Sequence, residues 1–177
     1  MTIQDRDLSW YAVHTRVRYE NVASAVLEQK DYEVFFPKYE SKRAWSDRQK
    51  TIELPLFPGY IFCKFNPSAR LPILCTAGVI SIVGNGSGPT PIDHEEVEAI
   101  QRIVNSGLQA EPAPFDVEGQ FVSIEKGPLT GLEGMVINAK NSCRLIVTVT
   151  LLQRSVSAEI DRSWVRVLPQ SQVRMAG

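Results

Sequence analysis

The chain has 177 residues, enough for one domain or for two small ones. Its 19 basic and 20 acidic side chains nearly cancel, which excludes a protein that coats nucleic acid through overall positive charge. The polar N-terminus MTIQDRDLSW indicates no signal peptide, and no apolar run approaches the ~20 residues of a membrane-spanning helix. We therefore expect a soluble, cytoplasmic protein without a membrane partner.

Strands and helices alternate in the first part of the chain. WYAVH predicts a strand, YENVASAVLEQK a helix with apolar residues at helical spacing, and YEVFFP a second strand that Pro37 ends. The following segment, KYESKRAWSDRQKTIEL, is polar, lacks a core pattern and lies between two strands. We predict that it forms a protruding hairpin.

The stretch LPLFPGYIFCKF contains a Pro-Gly turn and then a third strand. A period of two divides this strand between two faces, with Ile61, Cys63 and Phe65 on one and Tyr60, Phe62 and Lys64 on the other. We expect the first face to be core. Tyr60 and Phe62, with Phe57 and Pro58 at the start of the strand, are a candidate exposed surface, because contiguous exposed apolar surface marks interaction sites.

The rest of the first half supplies a short helix in NPSARLPILC, a fourth strand in GVISIVG and a turn in GNGSGPTP. Asp93 and Glu96 have the spacing of a helix N-cap and its capping-box acid. Val97, Ile100 and Val104 predict the apolar stripe of a third long helix, which Gly107 would end.

The residue pattern of the chain changes after LQAEPAPFDVEG. This segment is rich in proline and acidic residues and predicts a linker. Beyond it, QFVSI, GMVINA, RLIVTVTLL, SVSAEI and WVRVL are short β-rich runs at close spacing, typical of a small barrel. We predict an α+β fold. Residues 8–108 form an N-terminal antiparallel sheet with flanking helices, 109–116 a linker, and 117–169 a small C-terminal β-barrel.

Catalytic chemistry is not evident in the sequence. The two histidines, His14 and His94, are not part of a recognisable catalytic motif, and no nucleophile motif or nucleotide-binding fingerprint occurs. Cys63, Cys75 and Cys143 are odd in number, widely spaced and in apolar surroundings, which predicts reduced core thiols. We therefore predict no enzyme, no cofactor and no metal, although an enzyme whose site escapes the pattern stays an alternative.

The predicted hairpin concentrates positive charge. Between residues 38 and 50 it contains Lys38, Lys42, Arg43, Arg48 and Lys50 against Glu40 and Asp47. Trp45 stands among these cations in a segment with no core to join. Cations beside an aromatic ring supply phosphate neutralisation and a stacking surface, which single-stranded nucleic acid requires. Lys42, Arg43, Trp45, Arg48 and Lys50 are therefore candidate nucleic-acid contacts, with a solvated charged loop as the alternative.

The order of these segments resembles the NusG family of transcription elongation factors. The shared features are WYAVH, LFPGY, TAGVISIVG followed by PTPI, a linker, and VEGQFVSIEKGPLTGLEGMVINAK, which resembles a KOW motif. The resemblance spans nearly all of residues 10–168 and implies an N-terminal NGN domain, named for this family, and a KOW, SH3-like barrel.

This resemblance implies a factor that binds RNA polymerase across its cleft, grips the clamp helices and suppresses pausing or termination. Under this resemblance, the candidate polymerase contacts are His14, Phe57, Pro58, Tyr60 and Phe62. The segment 68–76 is a candidate contact with the opposite wall of the cleft. The basic hairpin would contact the non-template DNA strand of the transcription bubble. The KOW domain would recruit a ribosomal protein or the termination factor Rho, with Ile146 as a candidate contact. We expect a monomer.

Some residues depart from the general factor of the family. Leu129 follows GP where phenylalanine is usual, and Gln153 precedes Arg154 where glycine is common. These departures favour a specialised, RfaH-like antiterminator and count against Rho binding, whereas the β-branched run RLIVTVTLL favours a stable barrel over refolding into helices. A ribosome-associated KOW protein that binds RNA is the alternative function.

Overall fold

The computed structural model describes residues 8–45, 48–115, 117–138 and 143–169, without the side chains of 43–45, 48 and 49. The chain divides into two compact units between Val97 and Glu98. The domain bounds drawn from the sequence, at 108 and 117, stay a prediction. We describe each unit by itself.

The N-terminal unit combines strands with helices, as the sequence predicts. In chain order it contains β1 (Ser9–Thr15), α1 (Glu20–Gln29), β2 (Glu33–Phe35), β3 (Lys38–Trp45), β4 (Arg48–Pro55), β5 (Tyr60–Phe65), α2 (Leu71–Leu74), β6 (Val79–Ile82), β7 (Gly84–Asn85) and β8 (Gly88–Pro89). A third helix, α3 (His94–Asn105), spans the boundary between the two units.

The main sheet of this unit runs in the order β2-β5-β1-β6, and its pairs are antiparallel. One face of it carries a core cluster of Tyr11, Val13, Ala23, Leu27, Ile61, Cys63, Phe65 and Ile73. The three residues of β5 in this cluster are those that the period of two assigns to the core, so that prediction is confirmed. Ala23 and Leu27 come from α1 and Ile73 from α2, and both helices therefore pack on this face.

The opposite face of the sheet is also buried over much of its length. Here β1 and β5 place Trp10 beside Lys64, Ala12 beside Phe62 and His14 beside Tyr60. Trp10, Ala12 and Phe62 are buried, whereas Lys64, His14 and Tyr60 are partly exposed. Alternation predicts that Tyr60 and Phe62 on this face form an exposed surface, and that prediction is wrong for Phe62 at the centre of the face.

The helix α3 begins as its sequence predicts. Asp93 Oδ1 accepts a hydrogen bond from the Glu95 amide at 2.9 Å, which satisfies one of the unpaired donors of the first turn. Val97, Ile100 and Ile103 form its buried stripe, whereas Val104, which we expected in that stripe, is only partly buried. The apolar face is therefore rotated by one residue at the end of the helix.

The C-terminal unit is built from antiparallel strands. They are β9 (Ala110–Ala113), β10 (Gln120–Ile124), β11 (Glu133–Asn138), β12 (Cys143–Val149), β13 (Arg154–Ile160) and β14 (Val165–Val167). The sheet order is β14-β10-β11-β12-β13-β9. All five β-rich runs of the sequence become strands, and the α+β fold class is confirmed.

The segment that we predicted as a linker contributes β9 to this sheet. Ala110–Ala113 pairs with β13, and the Glu159 amide donates to the Gln109 carbonyl at 3.0 Å. Glu111 also forms an ion pair with Arg144 of β12 at 2.5 Å. Prolines are tolerated here because β9 is the last strand in the sheet order, where one side of the backbone needs no partner.

The cysteines are free in this structure. Cys63 and Cys143 are buried, as predicted, but Cys75 is exposed at the end of α2, so its assignment to the core is wrong. Burial raises the pKa of the Cys63 thiol to about 12, which keeps it protonated and unreactive near neutral pH. The described residues contain no helix long and apolar enough to cross a membrane. Within the same residues, no three His, Cys, Asp or Glu side chains gather as a metal site would require.

Candidate functional site: the Pro-Gly corner and the strand hairpin

The turn between β4 and β5, residues 57–60, forms what we call the Pro-Gly corner. The Tyr60 amide donates to the Phe57 carbonyl at 3.0 Å, and Gly59 has φ of +82°. Proline before a residue with positive φ is the pattern of a type II turn, and glycine adopts that φ without the clash of a Cβ atom. LFPGY therefore encodes this corner directly.

Two of the five predicted contact residues are hidden in this corner. Phe57 is 1% exposed and Phe62 is fully buried. Their rings meet edge to face with centroids 5.2 Å apart, and Phe62 also contacts the ring of Phe35 at 5.9 Å. The expectation that Phe57 and Phe62 form an exposed surface is wrong, because these rings pack against one another on the second, covered face of the sheet. They support the corner from beneath.

The other three predicted residues lie together at the surface of the corner. Pro58 is exposed, and His14 and Tyr60 are partly buried. His14 and Tyr60 are register partners across β1 and β5, and their rings stack with centroids 5.1 Å apart and planes 23° apart. The structure thus brings together a proline, a phenol ring and an imidazole ring with both apolar area and hydrogen-bonding groups.

The loop between β1 and α1 adds exposed apolar surface that was not predicted from the sequence. The Thr15 amide donates to the Gly59 carbonyl at 2.8 Å, which joins this loop to the corner. Val17, two residues on, is 72% exposed, and Tyr19 is exposed as well. The available signal in the sequence was an apolar residue three positions after the predicted strand WYAVH, between Arg16 and Arg18, and both arginines are exposed as well.

A second exposed apolar site lies on α2, inside the segment 68–76. Leu71 is 70% exposed and Leu74 is exposed, whereas Ile73 between them is buried. The short helix is held by Lys30, the residue that follows α1, whose Nζ donates to the Pro72 carbonyl and to Thr76 Oγ1, both at 2.9 Å. Leu71 is therefore presented on a fixed element rather than on a loose loop.

The hairpin of β3 and β4 forms a sheet of its own among the described strands. Its register pairs Arg43 with Lys50, Trp45 with Arg48, and Lys42 with Thr51. Paired residues share a face and neighbouring residues alternate. Positions 43, 45, 48 and 50 therefore belong to one alternating set, and position 42 belongs to the other.

The two alternating sets differ in charge. The set with Trp45 contains Arg43, Arg48 and Lys50 and no acid, which gives three positive charges. The other set contains Lys38, Lys42, Glu40 and Glu53, which sum to zero, and Lys38 forms an ion pair with Glu53 at 3.7 Å. Lys42 and Lys50 are exposed, whereas the side chains of Arg43, Trp45 and Arg48 lie outside the described residues.

In the C-terminal unit, Ile146 is not a surface residue. It is 5% exposed in β12, where its register partners are Met135 of β11 and Ser157 of β13, so the expectation of a free contact residue is wrong. The glycine-rich segment KGPLTGLEG supports the structural interpretation. A Cβ atom at Gly127 would lie 2.8 Å from the Trp164 ring, so glycine is needed for that ring to pack.

Comparisons with known proteins connect these features to one family. The sequence model of the family described as "Transcription termination factor nusG" matches residues 8–101. The NusG transcription termination/antitermination protein of Thermus thermophilus is 30% identical over 182 residues, covering 89% of this chain and 97% of that protein. The corresponding protein of Halalkalibacterium halodurans is 28% identical and covers 86% of this chain and 94% of its own.

A solved structure that shows a domain interaction in Thermotoga maritima NusG is similar to this chain with a TM-score of 0.55. The sequences are 23% identical, and the match covers 92% of this chain and 98% of that one. At that identity the likeness shows a shared fold. The family model and the sequence relatives identify the family independently of it.

Proposed function

The chain belongs to the NusG family and is a transcription termination/antitermination factor, and from this premise we propose that its Pro-Gly corner binds RNA polymerase. The family consists of transcription factors rather than enzymes, in keeping with a site made of apolar and aromatic groups. The observation that carries the proposal is the exposed Pro58 beside the stacked His14–Tyr60 pair.

The proposed docking surface differs from the one expected from the sequence. It consists of Pro58, Tyr60 and His14, extended by Val17 and Tyr19. Phe57 and Phe62 are left out because their rings are buried, and a rigid base beneath a contact surface lowers the entropic cost of binding. The partner that we propose for this surface is the pair of clamp helices of the polymerase.

We assign the second wall of the polymerase cleft to α2. The exposed Leu71 and Leu74 offer apolar area on a helix held by Lys30. A protein that contacts both walls opposes opening of the cleft, since opening would cost the free energy of one contact. Suppressed pausing is the expected consequence.

For the hairpin we propose contact with the non-template DNA strand. The support is the separation of charge between the two alternating sets, which puts three cations and Trp45 in one set without an acid. Cations beside an aromatic ring suit a single strand, since phosphates need neutralisation and unpaired bases need a stacking surface. The partner of the C-terminal unit, a ribosomal protein or Rho, stays a prediction, as does a cytoplasmic location.

Pause suppression by the full-length chain tests the docking surface. Tyr60→Ala and Pro58→Ala should each reduce pause suppression and affinity for RNA polymerase about tenfold. Tyr60→Ala removes the aromatic ring that anchors the contact, and Pro58→Ala removes the rigid residue near it in the turn. Val167→Ala is the matched control, since Val167 is an exposed apolar residue of β14 in the other unit. Unchanged affinity in both corner variants, with the fold intact, would refute the docking surface.

The alternative function is that of a ribosome-associated RNA-binding protein, and the molecules isolated together with the protein from cells distinguish it from the proposal. Isolation of the protein from cells should recover RNA polymerase subunits if the proposal is right. Recovery of ribosomal RNA without polymerase would favour the alternative.

A further inference from the structure

A buried carboxylate lies directly behind the Pro-Gly corner. Glu20, in the first turn of α1, is 4% exposed, and its Oε1 accepts a hydrogen bond from the Gly59 amide at 2.9 Å. Burying a carboxylate is costly unless it is paired or hydrogen-bonded. The Gly59 amide and the positive end of the helix dipole offset that cost, because both favour negative charge at this point.

Gly59 is also held in place by a hydrogen bond from β1. The Gly59 carbonyl accepts from the Thr15 amide at 2.8 Å, while its amide donates to Glu20. The hydrogen bond between Tyr60 and Phe57 shapes the turn but does not set its direction relative to the domain. The bonds to Thr15 and Glu20 set that direction, since they tie one residue to the sheet and to a helix 39 residues away.

The anchored residues adjoin the proposed contact groups. Thr15 follows His14 in β1, and Gly59 lies between Pro58 and Tyr60. A shift of the Gly59 backbone would therefore move the exposed proline and separate the stacked rings, which are now 5.1 Å apart. The imidazole Cδ2 of His14 is also 3.9 Å from the point where a Cβ atom of residue 59 would stand. The His14 ring and the Gly59 backbone are therefore direct neighbours at this surface.

We propose that Glu20 is the positioning residue of the docking surface. It touches no partner, and it acts by holding the Gly59 amide so that Pro58, Tyr60 and His14 meet RNA polymerase in one arrangement. This inference rests on the proposed docking of the corner. It assigns a functional role to a buried acid whose position, at the start of a helix, otherwise indicates only helix stabilisation.

Three variants of the full-length chain test the role of Glu20. Glu20→Gln keeps an oxygen that accepts the same hydrogen bond, Glu20→Asp keeps the charge but shortens the reach, and Glu20→Ala removes both. Glu28→Ala is the control, because Glu28 is an exposed acid of the same helix with one long hydrogen bond, 3.5 Å, to Ser24. Affinity for RNA polymerase, amide exchange at Gly59 and Tyr60, and the melting temperature are measured for each.

We expect Glu20→Ala and Glu20→Asp to weaken polymerase binding about tenfold and to speed exchange of the Gly59 amide by at least about tenfold, the scale of a lost charge-assisted hydrogen bond. Glu20→Gln should stay within about threefold of the natural chain in both measurements. Glu28→Ala should change neither. Glu20→Asp keeps the test available if Glu20→Ala does not fold.

The Tyr60→Ala variant, measured in parallel, separates the two proposals. If Tyr60→Ala weakens binding while Glu20→Ala and Glu20→Asp lower only the melting temperature, Glu20 is structural and the inference is overturned, with the docking surface intact. If Tyr60→Ala also leaves binding unchanged, the docking surface fails and the inference fails with it. Loss of binding in Glu20→Asp with recovery in Glu20→Gln supports the positioning role.

Discussion

The Pro-Gly corner and the β3–β4 hairpin belong to the same unit but are held in different ways. The corner depends on bonds from Thr15 of β1 and Glu20 of α1, which are far from it in sequence. The hairpin pairs its own two strands in a separate sheet, and nearest neighbours in the chain determine its register. Exposure at the corner is therefore a tertiary property, whereas the charge separation of the hairpin follows from its local sequence.

Phe57→Ala should give the largest effect and tests the buried half of the corner. Loss of a fully buried ring removes packing and leaves a cavity, which costs about 3–5 kcal/mol of unfolding free energy. Tyr60→Ala, three residues on and only partly buried, should cost about 1 kcal/mol. Urea unfolding of both variants is the measurement. Equal losses of unfolding free energy in the two variants would contradict the difference in burial between the Phe57 and Tyr60 rings.

Gly59→Ala tests the turn itself. A Cβ atom there would meet Thr15 and His14 only at 3.8 and 3.9 Å, so the cost comes from the positive φ and should be about 1–2 kcal/mol. Gly86→Ala is a matched control, because nothing lies within 4 Å of its Cβ position and its φ is not in the left-handed region. Equal unfolding midpoints in the two variants would contradict a requirement for glycine at position 59.

A pair of double variants tests the hairpin and isolates its two alternating sets. The double variant Arg43→Ala, Lys50→Ala should bind a single-stranded oligonucleotide roughly fivefold more weakly. The slope of the log binding constant against the log salt concentration should become shallower by about 1.4, because each lost phosphate contact contributes ~0.7. Lys38→Ala with Lys42→Ala removes the same charge from the other set and should change the slope little. Fluorescence titration at several salt concentrations measures both.

Two results of that titration would count against the hairpin proposal in different ways. Equal effects of the two double variants would leave the hairpin in contact with nucleic acid but not through one face. An unchanged slope in both would remove the hairpin from the nucleic-acid interface.

The smallest effect is expected at β9, a strand that, like the hairpin, comes from a segment without a core pattern. Glu111→Ala removes the ion pair with Arg144, and because both side chains are more than a third exposed, the unfolding free energy should fall by about 0.5 kcal/mol or less. Thermal unfolding is a sufficient measurement. A loss above about 2 kcal/mol would show that β9 is held by this pair and not by its ladder with β13.

Much of the fold could be read from local patterns. The strands β1, β2, β5 and β6, the cap at Asp93 and the five β-rich runs of the C-terminal unit lie where alternation, turn residues and capping chemistry predict them. The core set of β5 is also as predicted, since a period of two states which residues share a face. Alternation and turn residues did not predict β9, because prolines are compatible with a strand at the end of a sheet as well as with a linker.

The site could be predicted only in part. Alternation grouped Tyr60 with Phe62, but it does not state whether a second layer covers that face, and the structure buries Phe62 while leaving Tyr60 partly exposed. Glu20 gave no signal, because an acid in the first turn of a helix is ordinarily explained by the helix dipole alone. Only its 2.9 Å bond to Gly59 distinguishes it.

What the sequence by itself determined depends on neighbours along the chain: most of the strands and helices, the turn at Pro58 and Gly59, the positive charge of the hairpin and the family. What only the tertiary structure decided is which of those groups face water. Burial depends on what is packed across a face, and the residues that cover or anchor a face come from distant parts of the chain. Phe57 is therefore left out of the proposed contact surface because it is buried, while the exposed Val17 and the buried Glu20 enter the proposed site.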